Sequence, residues 1–227
     1  LDTILSFFAD EKIIYGALKG RSTLIEDSLP IQESSQSAAL VPFLSSLWKK
    51  IDYAPLTQII CSRGPGAFTT LRITLSAAQG LKMAFPNAQI YAPSTFKILA
   101  FSSEAPQGIA LIDSHKGYFY GCEFEGKKLG DPSLWDDDRI QKSGETFVCL
   151  HPPKDSVLKV KDKLILPLGN LASSMIELYE SEKDQIKPED QELFPFYIQS
   201  PIYRKRKQPL ADFLDLKDKL KFKLDNG

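Results

Sequence analysis

Gly64-Pro65-Gly66 follows a short apolar run and leads without a linker into a long helical segment. Pro65 fixes φ and the flanking glycines permit positive φ, so the turn can be tight with its backbone N–H groups exposed. Strand, glycine-rich turn and helix N-terminus together make the generic geometry of an anion site. The residues that would make it a known phosphate motif are missing. No lysine stands in the Walker position, and the third glycine of the dinucleotide fingerprint is absent. Arg72, in the first turn of the helix, opposes the helix dipole by ~0.3–1 kcal/mol. Either a carboxylate or a bound phosphate holds it, or it snorkels at the surface.

Other reactive side chains form no constellation. His115 and His151 have no ligand spacing and read as polar loop residues. Cys61, Cys122 and Cys149 are scattered, odd in number and without a Cys-x-x-Cys, as expected of free thiols in a reducing compartment. Ser114, His115 and Asp113 could compose a triad in name, but sequence neighbours rarely meet in triad geometry. In the charged stretch Asp136-Asp137-Asp138 nothing sets a nucleophile beside a base. The basic run Arg204-Lys205-Arg206-Lys207 reads either as a solvated charge run or as a contact for nucleic-acid phosphates. Beyond it, Phe213, Leu216, Leu220 and Leu224 suit an amphipathic helix docking on its own body or on a partner.

These residues must be held by ordinary α/β elements. The chain has 227 residues, 28 basic against 29 acidic and a net charge of -1, which advertises neither nucleic acid nor membrane. No apolar run approaches the ~20 residues of a bilayer span and no charged-then-apolar leader stands at the start, so a cytoplasmic protein is expected. Residues 2–9 and 12–19 read as strands around Asp10-Glu11, with a third at 23–29. Leu40, Leu44, Leu47 and Ile51 recur at helical spacing in 34–51, where Pro42 should kink or delay the helix. A buried strand at 58–61 feeds the turn. Further strands follow at 89–92, 109–112 and 118–124, with a helix over 94–102. Beyond 126 the pattern supports strands at 146–150 and 163–168 and a helix at 171–182, the rest being rich in proline and charge. Strands first and then alternating β and α predict an α/β protein of two related layers.

The helix after the turn has little polar surface. Arg72, Gln79 and Lys82 share one stripe, Ile73, Ala77, Gly80 and Ala84 a smooth second face, and Thr74, Ala78, Leu81 and Phe85 a third. Such a helix is buried on more than one side, by its own chain or by a partner that the small residues allow to approach closely.

Taken together, these stretches resemble the bacterial TsaB (YeaZ) family, paralogues of the tRNA threonylcarbamoyladenosine synthase TsaD. Gly64-Pro65-Gly66-Ala67-Phe68-Thr69-Thr70-Leu71-Arg72-Ile73-Thr74 is similar to that family's Gly-Pro-Gly-Ser-Phe-Thr-Gly-Leu-Arg-Ile-Gly signature. Leu1-Asp2-Thr3 resembles the start of its Asp-Thr-Ser strand, and 37–42 its His-Ser-x-x-Leu-Leu-Pro helix, with Gln36 in place of His. Residues 112–120 resemble Ile-Asp-Ala-Arg-Arg-Gly-Glu-Val-Tyr, and Pro201-Ile202-Tyr203-Arg204 a C-terminal Pro-x-Tyr-x-Arg element. The match is continuous over about residues 1–125.

The resemblance implies an actin/hexokinase/Hsp70-like (ASKHA) fold, with an N-terminal lobe over 1–102 and a more divergent lobe over 103–227. It implies a scaffold without catalysis, cofactor or metal of its own that binds and activates a TsaD-type subunit. ATP and metal would sit on that partner, a TsaE-type ATPase would complete the complex, tRNA would be reached through it, and a homodimer would form in its absence. The implied interface takes Gln36, Leu40, Val41 and Leu44 from the first helix. From the second it takes Phe68, Thr69, Arg72 and Ile73, then Ser76, Ala77, Gly80 and Ala84. Two departures bear on activity. Thr3 is followed by Ile4 with no glycine nearby, which degrades a first phosphate loop. Thr95 and Leu99 stand where the TsaD paralogue has its metal-binding His pair, and neither side chain suits a metal. The alternatives are an active nucleotide-binding phosphotransferase of the same fold, and the metalloprotease activity historically attached to the family, which the absent ligands argue against.

Overall fold

A computed structural model describes residues 2–31, 36–114, 118–151 and 163–198. The basic run 204–207, the tail 210–224, the element 201–204 and His115 lie outside the described residues.

Two sheets of matching design form the frame. In the first, β1 (Ile4–Ala9), β2 (Ile13–Lys19) and β3 (Leu24–Pro30) pair antiparallel, and β4 (Gln58–Cys61) and β5 (Gln89–Tyr91) extend the other side in parallel, giving the order β3-β2-β1-β4-β5. In the second, β6 (Gln107–Asp113) pairs antiparallel with β7 (Tyr118–Glu125), which carries β8 (Lys128–Leu129) and β9 (Ser133–Asp136). On its other side β6 is parallel to β10 (Phe147–Cys149), and β10 to β11 (Leu164–Ile165). Each sheet is thus a meander followed by parallel strands.

Both faces of both sheets are covered, so the central strands are almost continuously apolar. Period-two alternation divides them. Leu5, Phe7, Ile59 and Cys61 point outward, where α1 (Gln36–Lys49) and α2 (Phe68–Ala84) pack with Leu40, Phe43, Leu44, Leu47, Leu71 and Leu75. Ile4, Phe8 and Ile60 point inward onto α5 (Leu171–Glu182), through Leu171, Met175 and Ile176. On β6 the inward Ala110 and Ile112 meet Phe96 and Leu99 of α3 (Thr95–Ser102). The outward Ile109 and Leu111 meet Ile140 of α4 (Asp137–Ser143). The two middle helices cross over: α3 comes from the first half of the chain and packs on the second sheet, and α5 does the reverse.

Three sequence expectations are corrected. Pro42 neither delays nor ends α1, which runs from Gln36 to Lys49 with the proline inside it. The triple aspartate, read from sequence only as a charged stretch, opens a helix. Asp136 Oδ1 accepts from Arg139 N–H at 2.8 Å as the cap of α4, Asp137 and Asp138 occupy its first turn, and Gly144 at φ 71° ends it. Finally, Asp2 and Thr3 precede β1 and are not the turn after it, so they stand one strand length, roughly 20 Å, from its other end.

Candidate functional site

That other end is where chemistry could occur. Parallel strands β1, β4, β6 and β10 all finish at one cleft, the usual ligand position in open α/β sheets. It encloses about 240 Å³ between the β1–β2 turn, the Gly64-Pro65-Gly66 turn and the ends of β6 and β10. The turn that enters it after β1 is Asp10-Glu11-Lys12, not Asp2-Thr3-Ile4.

Asp10 spans the cleft. Its Oδ1 accepts from the N–H groups of Lys12, 2.7 Å, and Ile13, 3.0 Å, while Oδ2 is 2.8 Å from His151 Nε2 beyond the end of β10. Gln36 continues the chain of contacts: its amide donates to the Asp10 carbonyl and accepts from the Thr70 hydroxyl of α2. Gln36 therefore braces α1, α2 and the first turn against one another. The walls are mostly apolar, from Phe8, Leu71, Leu111 and Phe119. Lys12 is outnumbered by Asp10, Glu11 and Asp113 along the same lining, a poor field for a polyphosphate.

The residues at the start of the Gly-Pro-Gly turn spend their donors within the chain. Arg63 N–H donates to the Pro93 carbonyl at 3.1 Å, Gly64 N–H to Ser62 Oγ at 3.1 Å, and Pro65 has none to give. Gly64 O accepts from Thr95 N–H at 2.7 Å, and the Ser62 and Thr95 hydroxyls are 2.9 Å apart. Thr95 is thus a buried partner of the turn, and Leu99, one helical turn on, lies in the core under the second sheet. Gly64 itself is required: at φ 97°, a Cβ would lie 2.8 Å from Leu71 Cδ2.

Burial pushes the Cys61 and Cys149 thiols up to about 12 and Cys122 to about 11, so none is a thiolate nucleophile at neutral pH. Ser114 Oγ donates to the Tyr118 carbonyl at 2.9 Å, a turn contact. Among the described residues no group of three or more His, Cys, Asp or Glu could hold a metal ion.

Behind the turn, sequence reasoning missed a buried ion cluster. Lys97 Nζ lies 2.7 Å from Glu182 and 2.9 Å from Asp190, and Arg63 reaches Asp190 at 3.4 Å. Tyr91 donates its hydroxyl to Glu182 at 3.0 Å. Burial pulls the Lys97 pKa down, but the bonds to Glu182 and Asp190 outweigh it and hold it above the ordinary lysine value. This cluster ties a C-terminal strap, residues 188–198, across the edge of the first sheet. Ala92 N–H donates to the Asp190 carbonyl at 2.6 Å, and Phe196 N–H to the Arg63 carbonyl at 2.7 Å.

The outer face of α2 is built differently. Thr70, Leu71, Thr74, Leu75 and Ala78 face the core. Thr74 Oγ1 returns its hydrogen to the Thr70 carbonyl at 2.9 Å, which lets a polar residue point inward. Phe68, Thr69, Arg72, Ser76, Gly80 and Ala84 are exposed, with Met83, at 82 %, the most exposed large apolar residue among the described residues. Ile73 and Ala77 are half-buried against the core, and Lys82 is no part of an open stripe: its amine donates to the carbonyls of Pro86 and Ala88. A Cβ on Gly80 would meet nothing within 4 Å. On α1, Leu40 and Leu44, expected at an interface, lie in the core, and Val41 is what that helix presents. The Arg72 guanidinium sits 4.6 Å over the Phe68 ring rather than on a carboxylate.

Known proteins resemble this chain in sequence and in fold. The chain is 27 % identical over 182 residues to the tRNA threonylcarbamoyladenosine biosynthesis protein TsaB of Bacillus subtilis, covering 77 % of this chain and 75 % of that protein. It is 25 % identical over 178 residues to the protein of the same description from Buchnera aphidicola subsp. Baizongia pistaciae, covering 75 % and 76 %. Among solved structures, YeaZ from Pseudomonas aeruginosa superposes with a TM-score of 0.63 at 17 % identity, over 87 % of this chain and all of that one. A protein described as similar to peptidase YeaZ from the same organism gives 0.67 at 18 %, over 88 % and 100 %. The ethanolamine utilization protein EutJ of Carboxydothermus hydrogenoformans gives 0.51 at 8 % identity, over 79 % and 90 %. No protein-family model matches the chain. The architecture, two mixed sheets flanked by five described α-helices, is the actin/hexokinase/Hsp70-like fold.

Proposed function

We propose that this chain, a member of the TsaB (YeaZ) family by sequence and fold, works in tRNA N6-threonylcarbamoyladenosine biosynthesis as a non-catalytic scaffold. It docks the outer face of α2 onto a TsaD-type catalytic subunit and activates it. ATP and metal belong to that partner, a TsaE-type ATPase completes the assembly, and tRNA is met through the complex. The setting is cytoplasmic, and the same face pairs two copies when the partner is absent. The lobes of the proposal are 1–102 and 103–227, with α5 shared back onto the first.

One observation carries this reading. Gly80 lies on an exposed helix face with no heavy atom within reach of a Cβ, while the Arg63 and Gly64 N–H groups that open the adjoining turn are engaged internally. The start of the turn is tied into the chain, and the helix face beyond it is open.

Gly80→Arg tests it. Arginine is a better helix former than glycine and meets open space in the monomer, so at concentrations where both are monomeric the isolated variant should melt at or above the wild-type temperature. A desolvated, unpaired charge at an interface centre costs several kcal/mol, so co-elution with the TsaD-type subunit should be lost. A variant that folds and still binds with undiminished affinity refutes the placement. Calorimetric titration of the isolated chain with ATP separates the scaffold from a phosphotransferase, for which micromolar affinity is required.

A further inference from the structure

At the N-terminal end of α2 the exposed face does not stop at the helix. Tyr197 of the strap stacks on Phe68 with ring centroids 5.8 Å apart and planes inclined by 26°, and Arg72 covers Phe68 at 4.6 Å. The result is a ladder of tyrosine, phenylalanine and arginine drawn from two segments far apart in sequence. Phe68 and Tyr197 remain 44 % and 36 % exposed despite the stacking.

The strap holds Tyr197 by burying its neighbours. Leu193 packs against the core beneath α1 and α2, and Phe196 and Ile198 against the core under the second sheet. Tyr197, between Phe196 and Ile198, is left outside by extended-chain alternation. Asp190, buried against Lys97 and Arg63, fixes the strap upstream. The Arg63 guanidinium lies 5.1 Å over the Phe196 ring, and its carbonyl accepts the Phe196 N–H. An exposed aromatic so held has little side-chain freedom to lose on binding.

We infer that Tyr197, with Phe68 and Arg72, is a specificity-determining lip of the docking surface, and that the strap is part of the interface along with the two helices. This rests on the function proposed above. The occupant is the protein partner of that proposal, which brings an apolar side chain against the Phe68–Tyr197 rings and a carboxylate to Arg72. Charge complementarity points to it: among the described residues Arg72 has no carboxylate partner, and a ring-stacked guanidinium keeps its N–H edges free for one. Tyrosine and arginine are also the residue types that dominate binding energy when an interface buries them. The ladder is continuous along α2 with Ser76 and Gly80.

The full chain and the TsaD-type subunit, mixed as purified proteins, test this by titration at two ionic strengths. Tyr197→Ala should melt close to wild type, since only exposed ring area is removed, and should weaken binding about ten- to a hundredfold. Arg72→Gln should weaken it by less than Tyr197→Ala does, with its larger effect at low salt, and so flatten the salt dependence, as expected when one charge pair is lost. If Gly80→Arg abolishes binding while Tyr197→Ala and Arg72→Gln bind within twofold of wild type, this inference is overturned and the scaffold reading stands. If Gly80→Arg binds normally as well, the scaffold interface itself is misplaced and both fall. If Tyr197→Ala spares the protein partner but reduces tRNA retention by the assembled complex, the ladder is an RNA-stacking platform and the inference is overturned.

Discussion

Gly64 and Gly80 belong to one stretch of chain, and their surroundings are opposite. Around Gly64 every neighbour is engaged: Leu71 fills the space a Cβ would need, Thr95 binds its carbonyl, Ser62 its N–H, and the Phe196 carbonyl lies within 3.3 Å of that Cβ position. Around Gly80 there is nothing to meet. A turn and a helix that read as one motif thus answer to different tasks. The start of the turn joins the two sheets and the strap, and the outer face of the helix at Gly80 makes no such contact. The same residue type marks a conformational necessity in one place and a vacancy of contact in the other.

The sharpest way to probe the closed side is through its buried charges. Asp190→Ala leaves Lys97 and Arg63 short of a shared counter-ion with little access to water, and should cost about 3–5 kcal/mol in urea unfolding. The pH dependence follows from Lys97. Its folded pKa lies above the unfolded value of about 10.4, so the cluster's stabilisation is complete below that pH and lost as pH rises through the folded pKa. Wild type should therefore weaken in strong alkali, and Asp190→Ala should weaken by less over the same range. Gly64→Ala comes next, at about 2–4 kcal/mol, because φ 97° strains a Cβ-bearing residue and Leu71 must move. An unchanged melt for Gly64→Ala would mean that Gly64 is not crowded as described. The smallest effect has the opposite sign. Gly80→Ala should stabilise by about 0.5–1 kcal/mol, from helix propensity alone. Destabilisation there would show that the face is not open, and the contrast between the two glycines would vanish.

Much of this was legible in the residues, and the failures have physical causes. Apolar runs bounded by turn residues located β1, β2 and β4, and Leu40, Leu44 and Leu47 located α1. Periodicity assigned Leu40 and Leu44 to a helix but did not say whether its apolar stripe meets its own sheet or a partner. It meets its own sheet. On α2 the sequence put Ile73 and Ala77 on one smooth face with Gly80 and Ala84, whereas the fold turns Ile73 and Ala77 partly inward and buries Thr70 and Thr74, with hydroxyls bonded to Gln36 and to a backbone carbonyl. α4 carried a readable signature, an aspartate cap, an acidic first turn and a closing glycine, that was passed over as a run of charge. The strap had no local signal at all. Asp190 is buried only because Lys97 and Arg63, about a hundred residues earlier, wait for it, and pairing at that distance leaves no periodicity to read.

The crossing of α3 and α5 also has a consequence for how the protein is made. The first sheet is complete once Tyr91 has been synthesised, yet Ile4, Phe8, Ala17 and Ile60 on its inner face are covered by α5, which begins at Leu171. At ~5–20 residues per second the ribosome takes on the order of ten seconds to deliver that helix. For that interval half of a finished sheet is an open apolar surface on a tethered chain, and the protein cannot mature one lobe at a time. A stop codon placed anywhere between the end of β5 and the start of α5 should therefore release an aggregating fragment rather than a stable N-terminal lobe.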